Sequence, residues 1–300
     1  MKINNVRPLE HNFTEVLKML ALIPKMLYFI GKLPDSYNCK RVAIVGSRKN
    51  TSYGEEVAYR AAYEAAKAGA VVVSGLAYGI DSIAHRGALD AGGITVAVLG
   101  TPIDDIYPRV HLGLAQEIVR KGGAIISEYG PSEVAGSGKE LKARFLARNR
   151  IIAGLSDVVL VAEAAAKSGS LNTATHALDV GKDLMTVPGD INKISSEGCN
   201  RLISQGAIPY TCPDDLLNLL FPERILPKRR SKKRLEKQLS LFAETEVERE
   251  VLEQILLGRQ DGDEIVEKLG ISVSEFGQAV TMLEIKGAIK SLGANLWMGI

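Results

Sequence analysis

The sequence predicts an α/β fold: a doubly wound, mostly parallel sheet followed by a second, smaller domain. Three observations carry that reading. From residue 41 onward, short β-rich runs alternate with segments of helical period. The runs are apolar on both faces, as strands covered by helices on both sides require. After Leu220 the alternation stops and the composition changes.

Strands are expected at 41–46, 70–74, 94–99, 123–127, 157–162 and 183–187. Between them, helices are expected at 53–68, 82–91, 112–121, 141–154, 171–180 and 200–205. Residues 1–40 read as a short lead-in, 41–222 as the sheet domain, 223–243 as a linker and 244–300 as the second domain. The linker holds the run Lys228-Arg229-Arg230-Ser231-Lys232-Lys233-Arg234. In the second domain 246–257 is amphipathic, 262–269 and 274–286 are helical, and Gly270-Ile271-Ser272 joins those two tightly. The closing segment suits a hairpin, so three helices and a hairpin resemble a winged helix-turn-helix.

Length and charge bound the function. Three hundred residues suggest roughly two domains. With 37 basic and 35 acidic residues the net charge is +2, which excludes a histone-like polycation and an acidic disordered chain. Aromatics make up 5%, which argues against a face of many stacked rings. The near-neutrality is a cancellation. Residues 1–222 carry 24 basic and 22 acidic residues, 223–243 carry 8 and 2, and 244–300 carry 5 and 11. Cys39, Cys199 and Cys212 have neither paired spacing nor companion histidines, so they read as reduced thiols rather than disulfides or zinc ligands. No signal peptide is recognised, and the apolar stretch 19–30 is broken by Pro24 and Lys25. The expected setting is the cytoplasm, with no membrane partner.

In a doubly wound sheet, ligands bind outside the carboxyl ends of the strands. The first expected strand ends Val45-Gly46-Ser47-Arg48, with one glycine where a dinucleotide fingerprint needs three. A P-loop is absent as well, and no cofactor is expected. What remains suits an anion: a glycine turn, the Ser47 hydroxyl, a helix start and the Arg48 guanidinium. Alone, such a turn is as readily a tight turn with a solvated arginine. A second cradle follows the fifth strand, where Ser168-Gly169-Ser170-Leu171-Asn172-Thr173 places hydroxyls and a glycine before a helix. By itself it reads equally as a helix cap.

The helix expected at 141–154 carries Lys142, Arg144, Arg148 and Arg150, interleaved with Phe145 and Asn149. Such a face is often merely solvated. Four cations with one aromatic and no acid between Lys142 and Arg150 fit a nucleic-acid backbone with a stacked base. Asp81 and His85, spaced i,i+4, resemble an orienter and base but lack a nucleophile or metal.

Together these motifs resemble the DNA processing protein A (DprA/Smf) family. They are Val45-Gly46-Ser47-Arg48, Ser74-Gly75-Leu76-Ala77-Tyr78-Gly79-Ile80-Asp81, Phe145 to Ser156, Ser168 to Thr173, and Val187-Pro188-Gly189. The resemblance runs over about residues 24–220, and the tail resembles the family's winged-helix domain. It implies an extended Rossmann-like domain that binds single-stranded DNA as a dimer. It also implies a partner, the RecA recombinase, loaded onto incoming strands during natural transformation, and no catalytic reaction. Family contacts carry over to Gly46, Ser47, Arg48, Lys142, Phe145, Asn149, and Ser168, Gly169, Ser170 and Leu171. Arg144, Arg148, Arg150 and Thr173 join them from the residue pattern alone.

Several positions depart from the family's pattern. The lead-in is too short for the helical domain many members carry before the sheet. Phe145-Leu146-Ala147-Arg148-Asn149-Arg150 lacks the usual proline, so its helix is expected to begin earlier, and His111 replaces a customary asparagine. The expected recognition helix 274–286 sets Glu275 and Glu284 against Lys286, so a duplex would be repelled and a protein-interaction or intramolecular role is expected. The rival reading is a nucleoside-monophosphate phosphoribohydrolase of the lysine-decarboxylase-like type. That family needs a glutamate where this chain has His176. A recombination scaffold with incidental DNA contacts is the third.

Overall fold

The structure is a computed structural model that describes residues 2–34, 39–134, 136–222, 239–256 and 259–299. The chain divides into two units, at Pro222 and Glu223. Of the expected basic linker, residues 223–238 lie outside the described residues.

The first unit is built on a nine-stranded sheet. Its strands are β1 (Ile3–Val6), β2 (Leu27–Gly31), β3 (Arg41–Gly46), β4 (Val71–Ser74), β5 (Thr95–Leu99), β6 (Ala124–Ser127), β7 (Val158–Glu163), β8 (Asp183–Thr186) and β9 (Ile208–Pro209). Their spatial order is β1-β2-β6-β5-β4-β3-β7-β8-β9. From β6 to β9 every pairing is parallel. Chain order reverses at β3, which β4 flanks on one side and β7 on the other, so the β3/β7 crevice is the topological switch point.

Helices cover both faces. Those of the first unit are α1 (Ser52–Lys67), α2 (Ile80–Asp90), α3 (Leu112–Arg120), α4 (Gly138–Gly154), α5 (Ser170–Asp179), α6 (Glu197–Ser204) and α7 (Pro213–Leu220). Alternate residues of the central strands point to opposite cores, as the two-residue strand period dictates. Val42, Ile44, Val158 and Leu160 pack with α1, α2 and α7. Ala43, Val45, Val159 and Val161 pack with α4, α5 and α6. Each fully buried aliphatic side chain contributes about 1.5–3 kcal/mol. The α1–α2 contact is close because α1 turns Ala58, Ala61, Ala62 and Ala65 inward and α2 offers Gly87, where a Cβ would lie 2.6 Å from the Tyr59 carbonyl oxygen.

The sheet also includes residues that the sequence reading left outside it. Where a lead-in over 1–40 was expected, β2 pairs antiparallel with β6, and β1 with β2. Phe13, Leu17 and Leu27 of this segment are fully buried in the core shared with α4. Both strands are antiparallel and only partly buried, so they lack the unbroken two-faced apolar run that marks the interior strands. Helix α4 begins at Gly138, three residues before the expected start at 141, in line with the missing proline. Helix α7 was not anticipated. Pro213 at its first turn, the reciprocal Cys212–Asp215 capping bonds and the buried Leu216 and Leu220 account for it.

The second unit has α8 (Glu246–Leu256), α9 (Gly262–Leu269) and α10 (Val273–Ile285), then the hairpin β10 (Ile289–Gly293) and β11 (Leu296–Gly299). Asp261 caps α9, Ser272 and Glu275 form a capping box on α10, and Gly270 takes the left-handed conformation between them, at φ +65°. Its core joins Val251, Leu252, Ile265, Phe276, Val280 and Leu283 to Leu239. Packing therefore begins within the stretch assigned to the linker.

Candidate nucleic-acid interface

The carboxyl end of β3 turns sharply into α1. A Cβ on Gly46 would lie 2.7 Å from Ile80 Cγ1 and 2.9 Å from the Glu163 carbonyl oxygen, so only glycine fits. The Ser47 N–H donates to the Glu163 carbonyl at 2.8 Å, and the Lys49 N–H to Ser47 Oγ at 3.1 Å. Those donors are spent on the turn itself. Arg48 and Lys49 are left exposed at its tip. Glu163 holds the base of α1 by accepting from the Thr51 N–H at 3.1 Å and from the Thr51 hydroxyl.

After β7 the chain passes Lys167 and enters α5 through Ser168-Gly169-Ser170. Ser168 Oγ and Ser170 Oγ lie 2.7 Å apart. The Leu171 and Asn172 N–H groups donate to the Ser168 and Gly169 carbonyls. This helix start thus offers hydroxyls more than free amides. Leu171 packs against the core rather than lining the cleft. Asn149 fastens the turn from across the crevice, donating from Nδ2 to the Gly169 carbonyl at 3.3 Å and to Asn172 Oδ1 at 3.2 Å.

The cations of α4 divide by direction, since each residue advances about 100° around the helix. Lys142, Phe145 and Asn149 face the switch-point crevice, with Lys142 exposed. Arg144 points the other way, its guanidinium 4.4 Å from the Tyr129 ring centre and paired to Glu140 at 3.3 Å. Arg150 also leaves the crevice. It forms two bonds with the Glu128 carboxylate, 2.8 and 2.6 Å, and others to the Leu22 and Ala147 carbonyls. Neither of these two candidate residues lines the crevice, because charges spaced along one helix fall on different faces of it.

Arg148 is a third case. It lines the crevice but is only 3% exposed. Its Nη1 donates to the Gly75 carbonyl at 2.8 Å and to the Val98 carbonyl, bridging the end of β4 and β5, while Nε has no hydrogen-bond partner among the described residues. Burial lowers its pKa to about 10, so it keeps its charge at neutral pH. Burial raises the pKa of Asp81 beside it, against the pull of Arg148, and Asp81 accepts from the Gly75 N–H. His85 does not meet Asp81. Its Nδ1 lies 2.6 Å from Thr95 Oγ1, which itself donates to the Val72 carbonyl. The i,i+4 pair is therefore two separate braces.

The crevice forms a cleft of about 700 Å³. Arg48, Lys49, Lys142 and Lys167 stand exposed on its rim, Ser47, Ser168, Ser170 and Thr173 supply hydroxyls, and Phe145 forms one wall. Arg48 lies 5.4 Å from the Phe145 ring centre. Asp81, buried, is the one acid among the described lining residues. Lys49 and Lys167 escaped the sequence reading, although each sits directly beside a recognised cradle.

Residues 4–221 match the family described as DNA recombination-mediator protein A. The chain belongs to that family. Its relatives include protein Smf of Escherichia coli, 43% identical over 205 residues, covering 68% of this chain and 53% of that protein. DNA processing protein DprA of Streptococcus pneumoniae is 42% identical over 194 residues, covering 65% and 66%. The matched part thus spans between half and two-thirds of these relatives' length. Among solved structures, DprA of Helicobacter pylori aligns with a TM-score of 0.64 at 33% identity, covering 74% of this chain and 97% of that one. That protein's structure was described for its single-stranded DNA binding mode. Membership in a recombination-mediator family leaves the phosphoribohydrolase reading without support. Among the described residues, no helix is long and apolar enough to cross a membrane.

Proposed function

We propose that this chain is a single-stranded DNA-binding recombination mediator without a catalytic step of its own. In this reading it acts in the cytoplasm as a homodimer, protects incoming DNA and loads the RecA recombinase during natural transformation. One observation supports the reading above the others: four exposed cations ring a hydroxyl-lined cleft with an aromatic wall at the switch point. Rim cations take phosphates, the hydroxyls donate to phosphate oxygens, and Phe145 offers a surface to a base. Nothing in this set reads base edges, so binding is nearly sequence-blind.

The second unit is proposed to be a winged-helix domain that meets protein rather than duplex. Lys286, the lone cation of the expected recognition helix, is held by Glu248 at 2.9 Å and Glu244 at 3.3 Å. A gel shift with one oligonucleotide, single-stranded against duplex, tests the whole reading. The full chain is expected to retain the single strand selectively. Equal or tighter retention of duplex would contradict it.

A further inference from the structure

Two exposed tyrosines lie beside the cleft and play no part in the account so far. Tyr107 is 41% exposed, and its ring centre lies 5.5 Å from that of Phe145, which lines the cleft. Tyr78 is 48% exposed, 5.3 Å from the His111 ring, and directly follows the cleft residue Ala77.

Both rings are held in place. His111 is buried with Nδ1 2.8 Å from the Leu76 carbonyl, which can only accept, so Nδ1 donates and the imidazole plane is fixed behind Tyr78. The turn carrying Tyr78 is tied to the β3 turn by the Ile80 N–H, which donates to the Ser47 carbonyl at 3.2 Å. The loop carrying Tyr107 is anchored by buried Ile103 and Ile106, by the Thr101 hydroxyl donating to the Asp105 carbonyl at 2.6 Å, and by Ser127 Oγ donating to the Thr101 carbonyl at 2.6 Å. Large rings on braced loops, each backed by another ring and open to solvent, add little to the core. They are suited to receiving a flat ligand.

Topology says which ligand. Tyr78 follows β4 and Tyr107 follows β5, so the rings continue the carboxyl edge of the sheet away from the β3/β7 cleft. At about 4.8 Å per strand, β7 to β5 spans roughly 14 Å. A strand leaving the Arg48 turn in that direction meets the Tyr78 ring beyond β4 and the Tyr107 ring beyond β5, and Arg109, two residues after Tyr107, is exposed.

We propose that Tyr78 and Tyr107 form a base-stacking extension of the cleft, taking further bases of the same single strand as it crosses the carboxyl ends of β4 and β5. The proposal rests on the single-strand reading above. It is tested on the full chain with oligothymidylates of about three and about twenty nucleotides, the shorter spanning only about 10 Å at ~3.4 Å per nucleotide and the longer exceeding common site sizes. Tyr78→Ala and Tyr107→Ala should each weaken the long oligonucleotide about tenfold while sparing the short one, and Tyr→Phe at either position should restore wild-type affinity. Equal loss at both lengths, or no loss at either, would overturn the extension while leaving the cleft in place. A change in self-association with DNA binding untouched would also overturn it, assigning the rings to a contact between copies. If the wild-type chain holds neither oligonucleotide, the single-strand reading falls and this extension with it.

Discussion

Single residues of like charge serve different ends here. Arg48 and Lys142 are exposed and face the cleft, whereas Arg148 spends its guanidinium on the carbonyls of β4 and β5. His85 shows how a buried group leaves its mark on stability. Thr95 donates to the Val72 carbonyl, so its oxygen accepts the Nδ1 proton of His85, and Nε2 is left buried without a hydrogen-bond partner among the described residues. Burial, with help from His111 and Arg148, lowers the pKa to about 3. The folded chain therefore keeps His85 neutral at pH values where the unfolded chain protonates it, below about 6.5. Stability is lost as pH falls from about 6.5 towards 3, because the unfolded state binds the extra proton. Between pH 7 and 5 the wild type should lose about 2 kcal/mol more than His85→Gln, whose side chain does not titrate, in denaturant unfolding. Equal losses would show that His85 is not held neutral.

At the scale of elements, α4 is two helices in one. Its cleft face carries Lys142, Phe145 and Asn149, and its outer side carries Arg144 and Arg150. The half-buried Arg150–Glu128 pair ties α4 to the segment after β6. Arg150→Ala should cost about 2 kcal/mol of unfolding free energy and leave the salt dependence of DNA binding alone. Lys142→Ala should do the reverse, and a matching salt slope for the two variants would refute this division. The interior strands were legible because burial on both faces writes an unbroken apolar run. β2 was not, since its place depends on pairing with β6 across about a hundred residues, and β1 depends in turn on β2. The cradles at Gly46 and Ser168 were legible because glycines and hydroxyls at strand ends are local signals. The clasp of Asn149 on Gly169 and the pairing of Arg150 with Glu128 were not, because each partner is more than fifteen residues away. Hence the sequence could mark the cations of α4 but not the face on which each one lies.

For the molecule as a whole, the +2 net charge conceals an uneven layout. The sheet unit is nearly neutral, yet it gathers cations at the end of the sheet where its strand order reverses. The acidic second unit pairs its own Lys286 internally and offers little to a phosphate backbone. The proposed function therefore rests on local charge, and salt is the most direct probe of that proposal. The deciding measurement is the salt dependence of oligothymidylate binding by the wild type, Arg48→Ala and Lys142→Ala. Each substitution should reduce affinity and lower the slope of log K against log salt by roughly 0.7, the share of one released phosphate contact on a single strand. Wild-type slopes and affinities in both variants would contradict the assignment of the switch-point cleft as the DNA site.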